Sequence, residues 1–101
     1  MPQINYSKAA LADLERITQY LLSRDKEVAK RAIKTIRDAL QRLTVFPESF
    51  RPVPDMIYHR EMVIDFGSSG YIALFRHLPN GDITIARIKH QLENAYPQDS
   101  V

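Results

Sequence analysis

Residues 56–90 read MIYHREMVIDFGSSGYIALFRHLPNGDITIARIKH, and this stretch decides the fold. It contains three runs rich in β-branched and aromatic residues, at 56–66, 71–78 and 83–90. The turn residues Gly67–Gly70 separate the first two runs, and Asn80-Gly81, the strongest short hairpin signal, separates the last two. The stretch therefore predicts three antiparallel strands joined by two hairpins.

The three predicted strands differ in the pattern of their faces. In the first, Met62, Ile64 and Phe66 alternate with polar residues, which is typical of a strand with one buried face. The second is apolar almost throughout, so we predict a central strand that is covered on both faces. In the third, regular alternation places two sets on opposite faces, namely Ile83, Ile85 and Arg87 against Thr84, Ala86 and Ile88.

Two helices are predicted before these strands. Apolar residues at helical spacing indicate helices at about 8–23 and 26–44. Ser7 and Asp25 stand where N-cap residues are needed, because their side-chain oxygens can accept from unpaired backbone N–H groups. The short break between the helices favours an antiparallel helical hairpin.

The remaining segments complete the order β-α-α-β-β-β. Residues 3–6 alternate polar and apolar side chains and predict a short first strand, and the proline-rich segment 47–55 predicts a loop. The expected fold class is α+β. The helical hairpin would pack on one face of a small, mainly antiparallel sheet, to which the first strand adds.

The composition is that of a globular protein. The 101 residues are 45% hydrophobic and 26% charged and include no cysteine, which excludes disulfides and cysteine-ligated zinc. No apolar run approaches the roughly 20 residues of a membrane-spanning helix, and the first residues lack the features of a secretory signal. We expect one domain over residues 1–101, no membrane association and a cytoplasmic location. Residues 91–101 would form a polar tail whose order depends on a partner.

The net charge of +2 hides an asymmetry. Residues 26–42 hold six Lys and Arg residues against two acidic residues, whereas residues 51–101 hold five against six. Such a local basic stripe matters more for association than the total charge. It indicates a surface for nucleic acid or for an acidic partner.

Short motifs follow one another in a fixed order along the chain. They are Ala12-Asp13-Leu14 and Tyr20-Leu21 in the first helix, the row Ala32, Ile36, Leu40 and Leu43 that stops at Pro47, then Arg60-Glu61-Met62, Gly70-Tyr71, Phe75-Arg76, and residues 85–91 followed by Glu93 and Tyr96. This ordered set resembles the toxins of the RelE/ParE superfamily of bacterial type II toxin–antitoxin (plasmid stabilisation) modules. The long paired helices resemble the ParE branch more closely than the RelE branch.

The resemblance implies two alternative activities. ParE-like toxins inhibit DNA gyrase by protein–protein contact, whereas RelE-like toxins cut mRNA in the ribosomal A site. One fold that hosts both functions leaves the decision to the site. A third alternative is a non-catalytic binding module or degenerate toxin. The resemblance also implies a cognate antitoxin as partner and no cofactor, and it leaves a homodimer of the free toxin open.

RNA cleavage through the 2′-OH needs a base, an acid and cations that stabilise the phosphorane charge. Arg60, Arg87 and His90 supply these residue types and would be catalytic under the nuclease alternative, with Tyr96 stacking on a base. Strand alternation weakens this constellation, because Arg87 and Lys89 share one face and a straight strand would turn His90 to the other. A single histidine at a strand end is also more often structural than catalytic.

A second group of candidates would bind the target or the antitoxin. Antitoxins of this superfamily fold a disordered segment over the toxin, and a helix in an apolar groove or a strand on a sheet edge are the available modes. The candidates are the apolar Leu11, Tyr20, Leu22 and Val28, the basic Lys30, Lys34 and Arg37, and Lys89 and Tyr96 near the C-terminus.

No metal site is predicted. His59 and His77 lie on different predicted strands and form no ligand spacing with each other or with a cluster of carboxylates. Glu61 and Asp65 share a strand face, but a catalytic carboxylate pair there is a remote alternative. Because the basic charge is concentrated on the second helix and the sheet segment is slightly acidic, gyrase inhibition is preferred over RNA cleavage.

Overall fold

The computed structural model describes residues 3–93 and 96, and it has the predicted architecture. Two helices cover one face of a five-stranded sheet. The elements, in chain order, are β1 (Ile4–Tyr6), α1 (Lys8–Leu22), α2 (Lys26–Gln41), β2 (Arg51–Pro52), β3 (His59–Phe66), β4 (Ser69–His77) and β5 (Ile83–His90), with 3₁₀ turns at Arg42–Thr44 and Pro47–Ser49.

The sheet has the strand order β1-β5-β4-β3-β2. β3, β4 and β5 form the predicted antiparallel meander, and β1 joins β5 in parallel. The prediction of a loop over residues 47–55 is wrong in one respect. The segment contains the short strand β2, which pairs with β3. An ion pair between Arg51 and Glu61 and a backbone hydrogen bond from Val53 to His59 hold this strand, and neither contact can be read from local sequence.

The helices begin at the residues that the sequence predicts. Ser7 accepts a hydrogen bond from the Ala10 N–H group, and Asp25 accepts from the N–H groups of Glu27 and Val28. The core lies between the helices and the sheet. Its members are mainly small and aliphatic, with Phe75 and Tyr71 as the aromatic contribution from β4: Ala10, Leu14, Ile17, Ala32, Ile36, Ala39, Leu40, Leu43, Met62, Ile64, Tyr71, Ala73, Phe75, Ile83, Ile85 and Ile88.

A β-bulge in β5 corrects the predicted alternation of that strand. Leu74 pairs with Arg87 and Phe75 pairs with Ile85, so Ala86 is an extra residue without a partner on β4. One extra residue reverses the parity of all later side chains. Ile88, which was predicted to lie opposite Ile83 and Ile85, is therefore buried in the same core.

The opposite face of the sheet, here called the outer face, is only partly covered. In β4 the side chain of Leu74 is buried on this face, but Ile72 is half-buried and Arg76 is exposed. The prediction that this strand is covered along both faces is thus correct only at its centre. The helices cover the other face throughout.

Polar side chains close the edge of β5 beyond the end of β1. Backbone groups of residues 86–90 form hydrogen bonds of 2.8–3.3 Å with the side chains of Ser7, Asp13, Arg16 and Glu93. These side chains replace the neighbouring strand that β1 is too short to provide. The edge of β3 is different, because within the described residues 63–66 pair with no strand on the β2 side.

Candidate functional site

A groove of about 760 Å³ runs between α1 and α2. Its floor is apolar and includes Leu22, Ala29 and Ile33, and four cations of α2 stand along it, namely Lys26, Lys30, Lys34 and Arg37. We call these four residues the α2 cation row. The groove brings together four of the predicted binding residues: Leu22, Lys30, Lys34 and Arg37.

The charges of the α2 cation row are only weakly compensated. Lys34 lies 2.6 Å from Asp38 and Lys30 lies 3.9 Å from Glu27, both in pairs whose side chains are largely exposed. Exposed pairs of this kind contribute little. Lys26 and Arg37 form no ion pair within the described part of the chain. The groove, which Glu15 and Asp38 also line, is therefore an apolar channel whose lining carries a net positive charge.

The other predicted apolar candidates lie on separate surfaces. Leu11 is 54% exposed and lines a different hollow of about 400 Å³, beside Ile4 and Tyr6. Tyr20 is 58% exposed and lines a third hollow of about 480 Å³, together with His90 and Leu92. Val28 is half-buried and lines none of the three.

Arg87 is held by a buried carboxylate. Asp13, which is 3% exposed, accepts from Arg87 Nε at 2.8 Å and from the Ile88 N–H group at 2.8 Å, and Arg16 lies 3.5 Å away. The Ile88 N–H group belongs to the edge that β1 leaves unpaired. Asp13 thus pairs with the charge of Arg87 and accepts from a backbone N–H group that no described strand uses. The sequence reasoning assigned no role to Asp13, although its position among the motifs of the first helix could have drawn attention to it.

His90 is engaged on both ring nitrogens. Its Nδ1 accepts from the Leu92 N–H group at 3.2 Å, and its Nε2 lies 3.0 Å from the hydroxyl of Ser69. The ring meets Tyr71 edge to face at 5.3 Å. The contact with Leu92 uses Nδ1 as the acceptor, which leaves Nε2 for the contact with Ser69. These three contacts hold the ring in place at the end of β5.

Arg60 secures the segment before β2. Its guanidinium donates to the carbonyls of Glu48 at 3.2 Å and Phe50 at 2.7 Å. Arg60 pairs with Phe75 of β4, whereas His90 pairs with Tyr71, four residues along the same strand. At roughly 3.3 Å per residue the two rows are about 13 Å apart. Arg87 is separated from His90 as well, because their side chains lie on opposite faces of the sheet.

The three nuclease candidates are therefore not brought together. Each of Arg60, Arg87 and His90 forms hydrogen bonds with other parts of the chain. They occupy two faces and two ends of the sheet. Their hydrogen-bond partners all differ, and the rows of Arg60 and His90 along β4 are about 13 Å apart.

Tyr96 lies across the outer face of the sheet. Its hydroxyl donates to Glu61 at 3.0 Å, and its ring covers Lys89 Nζ at 5.1 Å and the Arg87 guanidinium at 5.7 Å. Glu61 and Arg87 are the register neighbours of Leu74, so Tyr96 spans β3 to β5. Burial, and then the hydrogen bond to Glu61, raise the pKa of Tyr96 well above its usual range.

Three cations of the outer face, Arg51, Arg87 and Lys89, have close partners, whereas Arg76 is exposed. Lys89 Nζ donates to the carbonyl of Glu93 at 3.1 Å, and Arg51 lies 3.0 Å from Glu61. Lys89 and Tyr96 are two of the predicted binding residues. Their polar groups already form hydrogen bonds within the chain, to Glu93 and Glu61. The predicted tail begins in the same place, and residues 91–93 are held by contacts within the chain. Residues 94, 95 and 97–101 lie outside the described part.

No arrangement of ligands for a metal is found in the described ranges, where no group of three or more His, Asp or Glu could hold an ion. His59 donates from Nδ1 to the Ile57 carbonyl, if that nitrogen carries the proton, and His77 lies 3.9 Å from Glu48. Neither helix of the described part has the length and apolarity needed to cross a membrane.

The chain was compared with protein families, with individual proteins and with solved structures. Residues 4–95 match the family described as the ParE toxin of the type II toxin–antitoxin system parDE. The chain is 31% identical over 93 residues to a Caulobacter vibrioides protein named Toxin RelE3, and the match covers 92% of this chain and 98% of that protein. A chain of the chromosomal ParDE system from P. aeruginosa has the same fold, with a TM-score of 0.71 at 23% identity over 89% of this chain and 96% of that one.

Proposed function

The chain belongs to the ParE toxin family of type II toxin–antitoxin systems, and on this premise we propose that it poisons DNA gyrase by protein–protein contact. Membership of the family implies a cognate antitoxin. Gyrase acts in the bacterial cytoplasm, so the proposal places the toxin there. The contact elements are the helical hairpin and the C-terminal segment from His90 onward.

The observation that carries the proposal is the separation of the nuclease candidates. Arg60, Arg87 and His90 each stabilise a different part of the fold through hydrogen bonds within the chain. Phosphoryl transfer needs its base, acid and cations within about 3 Å of the reacting atoms. The separation of these residues favours action by binding, and the exposed basic helix α2 is a surface on which binding can occur.

The groove between α1 and α2 fits a helical antitoxin segment. Its floor of Leu22, Ala29 and Ile33 would bury the apolar face of an amphipathic helix, and its positive wall would pair with acidic residues. Lys30 and Lys34 would be the first such contacts. A segment that is disordered when free can cover a groove of this kind as it folds.

A strand of the antitoxin would add to β3 rather than to β5. Side chains of Ser7, Asp13 and Arg16 occupy the backbone groups of β5 beyond β1. Residues 63–66 of β3 offer backbone groups that no described strand uses. An open edge of this kind is the template that strand addition requires.

The test is a supercoiling assay with purified gyrase and relaxed plasmid. Saturating toxin is expected to abolish supercoiling and to accumulate cleaved DNA trapped with gyrase. Addition of the cognate antitoxin is expected to restore supercoiling. Undiminished supercoiling at saturating toxin would overturn the proposal.

RelE-like cleavage of mRNA on the ribosome remains the second candidate, and one observation favours it. Arg87, Lys89 and Tyr96 meet on the outer face, where two cations and an aromatic ring could engage RNA. The relative at 31% identity also carries the name RelE3. This alternative predicts A-site cuts in a translation extract, reduced by Lys89→Ala and by Tyr96→Ala. Arg87→Ala is less informative, because it leaves the buried Asp13 without its cation.

A further inference from the structure

The α2 cation row has the geometry of a contact with a charged polymer. Lys26, Lys30 and Lys34 are spaced at four residues and Arg37 follows three residues later, so all four lie on one side of the helix. At 1.5 Å per residue the row is about 16 Å long. Phosphates of one strand of B-DNA recur every 3.4 Å along its axis, so the row faces roughly five of them.

The row is also exposed to solvent, although Lys34 pairs with Asp38 on the same helix. The side chains of Lys30 and Lys34 are 63% and 76% exposed. On the outer face, Arg51, Lys89 and Arg87 have partners at 3.0, 3.1 and 2.8 Å.

We propose that the α2 cation row binds the phosphate backbone of duplex DNA, so that the toxin contacts the DNA held by gyrase as well as the enzyme. The inference rests on the proposed function. Three of the four residues are lysines, whose flexible ammonium groups act as point charges. Phosphate contacts of this type position a protein on DNA without reading sequence.

Binding of the row to DNA phosphates would also explain how an antitoxin in the groove neutralises the toxin. The row forms one wall of the groove, and acidic residues of an antitoxin helix would pair with the same ammonium groups. DNA and antitoxin would then compete for one set of charges. Neutralisation needs no change in the fold of the toxin.

The test uses a fluorescently labelled 20-base-pair duplex and measures its anisotropy with the toxin between about 0.05 and 0.3 M NaCl, a range over which salt screening should change K by about two to three orders of magnitude. For four phosphate contacts, the plot of log K against log salt is expected to have a slope of about −3 to −4. Lys30→Gln with Lys34→Gln is expected to weaken binding at least about tenfold at 0.1 M salt and to reduce the slope by about two. The matched control is Arg51→Gln with Arg76→Gln, which removes two charges from the sheet and is expected to leave both values nearly unchanged.

A gyrase assay on the same variants separates the two proposals. The inference predicts that the lysine variant traps cleaved DNA less efficiently than the arginine control. If the wild-type toxin poisons gyrase but the two variants match it in duplex binding and in trapping, the inference fails and the proposed function stands. If the lysine variant loses affinity only for a glutamate-rich peptide, the row is a protein contact and the inference fails as well. If the wild-type toxin does not act on gyrase, the proposed function fails, and the duplex measurements alone decide whether the row binds DNA.

Discussion

Asp13 connects helix α1 to the end of strand β5. It is buried in α1, yet it accepts from the Arg87 side chain and from the backbone of Ile88. Arg16, one turn later, donates to the carbonyl of Ile88 and pairs with Glu93. One helix turn thereby fixes the irregular end of β5 and the first residues after it.

Asp13→Asn is expected to lower the free energy of unfolding by about 3–5 kcal/mol, because it leaves the guanidinium of Arg87 without a counter-charge in a buried position. Urea denaturation followed by circular dichroism measures the change. Glu15→Gln is the control on the same helix, since Glu15 is exposed and should change stability by less than about 0.5 kcal/mol. Equal stability of the two variants would contradict the role assigned to Asp13.

Tyr96 should make the protein sensitive to alkali. Burial and the hydrogen bond to Glu61 raise the pKa of Tyr96 above its ordinary value of 10.0, and burial also raises the pKa of Tyr71. The unfolded chain therefore loses these protons first. This contribution to stability is complete below pH 10 and is lost as the pH rises from 10 toward the raised values.

Tyr96→Phe tests that dependence, because it keeps the ring over Lys89 and removes the titrating hydroxyl. We expect the stability of the variant to fall less steeply above pH 10 than that of the wild type. Denaturant midpoints at pH 8, 10 and 11 measure the difference, with Tyr58→Phe, at an exposed position, as the control. A variant with the alkaline profile of the wild type would show that Tyr96 does not titrate differently on unfolding.

At the scale of the elements, the bulge in β5 determines what the sheet presents. Without the extra residue Ala86, Ile88 would point away from the helices, and Arg87 would point toward them. With it, three isoleucines enter one core while Arg87 and Lys89 reach the ring of Tyr96. The division between an apolar helix face and a charged outer face depends on this one irregularity.

The β3–β4 hairpin depends on a close approach at Gly70. A Cβ atom at this position would lie 2.0 Å from the carbonyl oxygen of Ile64, so Gly70→Ala forces the two strands apart. We expect a loss of more than about 3 kcal/mol, beyond the usual range for overpacking. Thermal unfolding measures it.

Gly67→Ala provides the matched control in the same hairpin. Gly67 has a positive φ of 63° but nothing within 4 Å of the added Cβ. Only backbone strain opposes the change, at about 1–2 kcal/mol. If Gly70→Ala were no more destabilising than Gly67→Ala, the close approach would not be a real constraint on the hairpin.

For the molecule as a whole, charge and apolar surface are divided between opposite sides. The helix side carries the groove and the α2 cation row, and the outer face carries paired charges under Tyr96. Because the uncompensated charge lies beside the apolar floor, one partner segment can satisfy both. This division is the reason for assigning antitoxin binding to the helices.

Binding of the cognate antitoxin should stabilise the toxin by mass action, by about 2.7 kcal/mol at a free concentration of 100 Kd. Leu22→Asp, on the floor of the groove, is expected to reduce this stabilisation. Ile57→Asp changes an equally apolar residue that is 77% exposed outside the groove, and it should leave the effect intact. Thermal shift titrations measure both, and the reverse ranking would move the antitoxin site away from the helices.

Local sequence was sufficient for the elements and insufficient for the site. Ser7, Asp25 and Asn80-Gly81 act within a few residues, so the helix starts and the last hairpin could be predicted from them. The strand β2 and the partner of Arg87 were not predicted, because each depends on contacts between residues far apart in the chain. Of the predicted binding residues, the groove collects Leu22, Lys30, Lys34 and Arg37, but Leu11, Tyr20 and Val28 lie elsewhere.

The sequence by itself determined the α+β class, the order of helices and strands, and the concentration of positive charge in residues 26–42, since periodicity, capping and composition are local properties. Only the tertiary structure decided how β5 is divided between the two faces, because a bulge is set by pairing with β4 and by the hydrogen bond of Ile88 to Asp13. Only the tertiary structure also decided which cations are held by distant parts of the chain. Arg60 and Arg87 resemble Lys30 and Lys34 in sequence, but the first two are held by groups that folding brings to them, whereas the second two remain at the surface of α2.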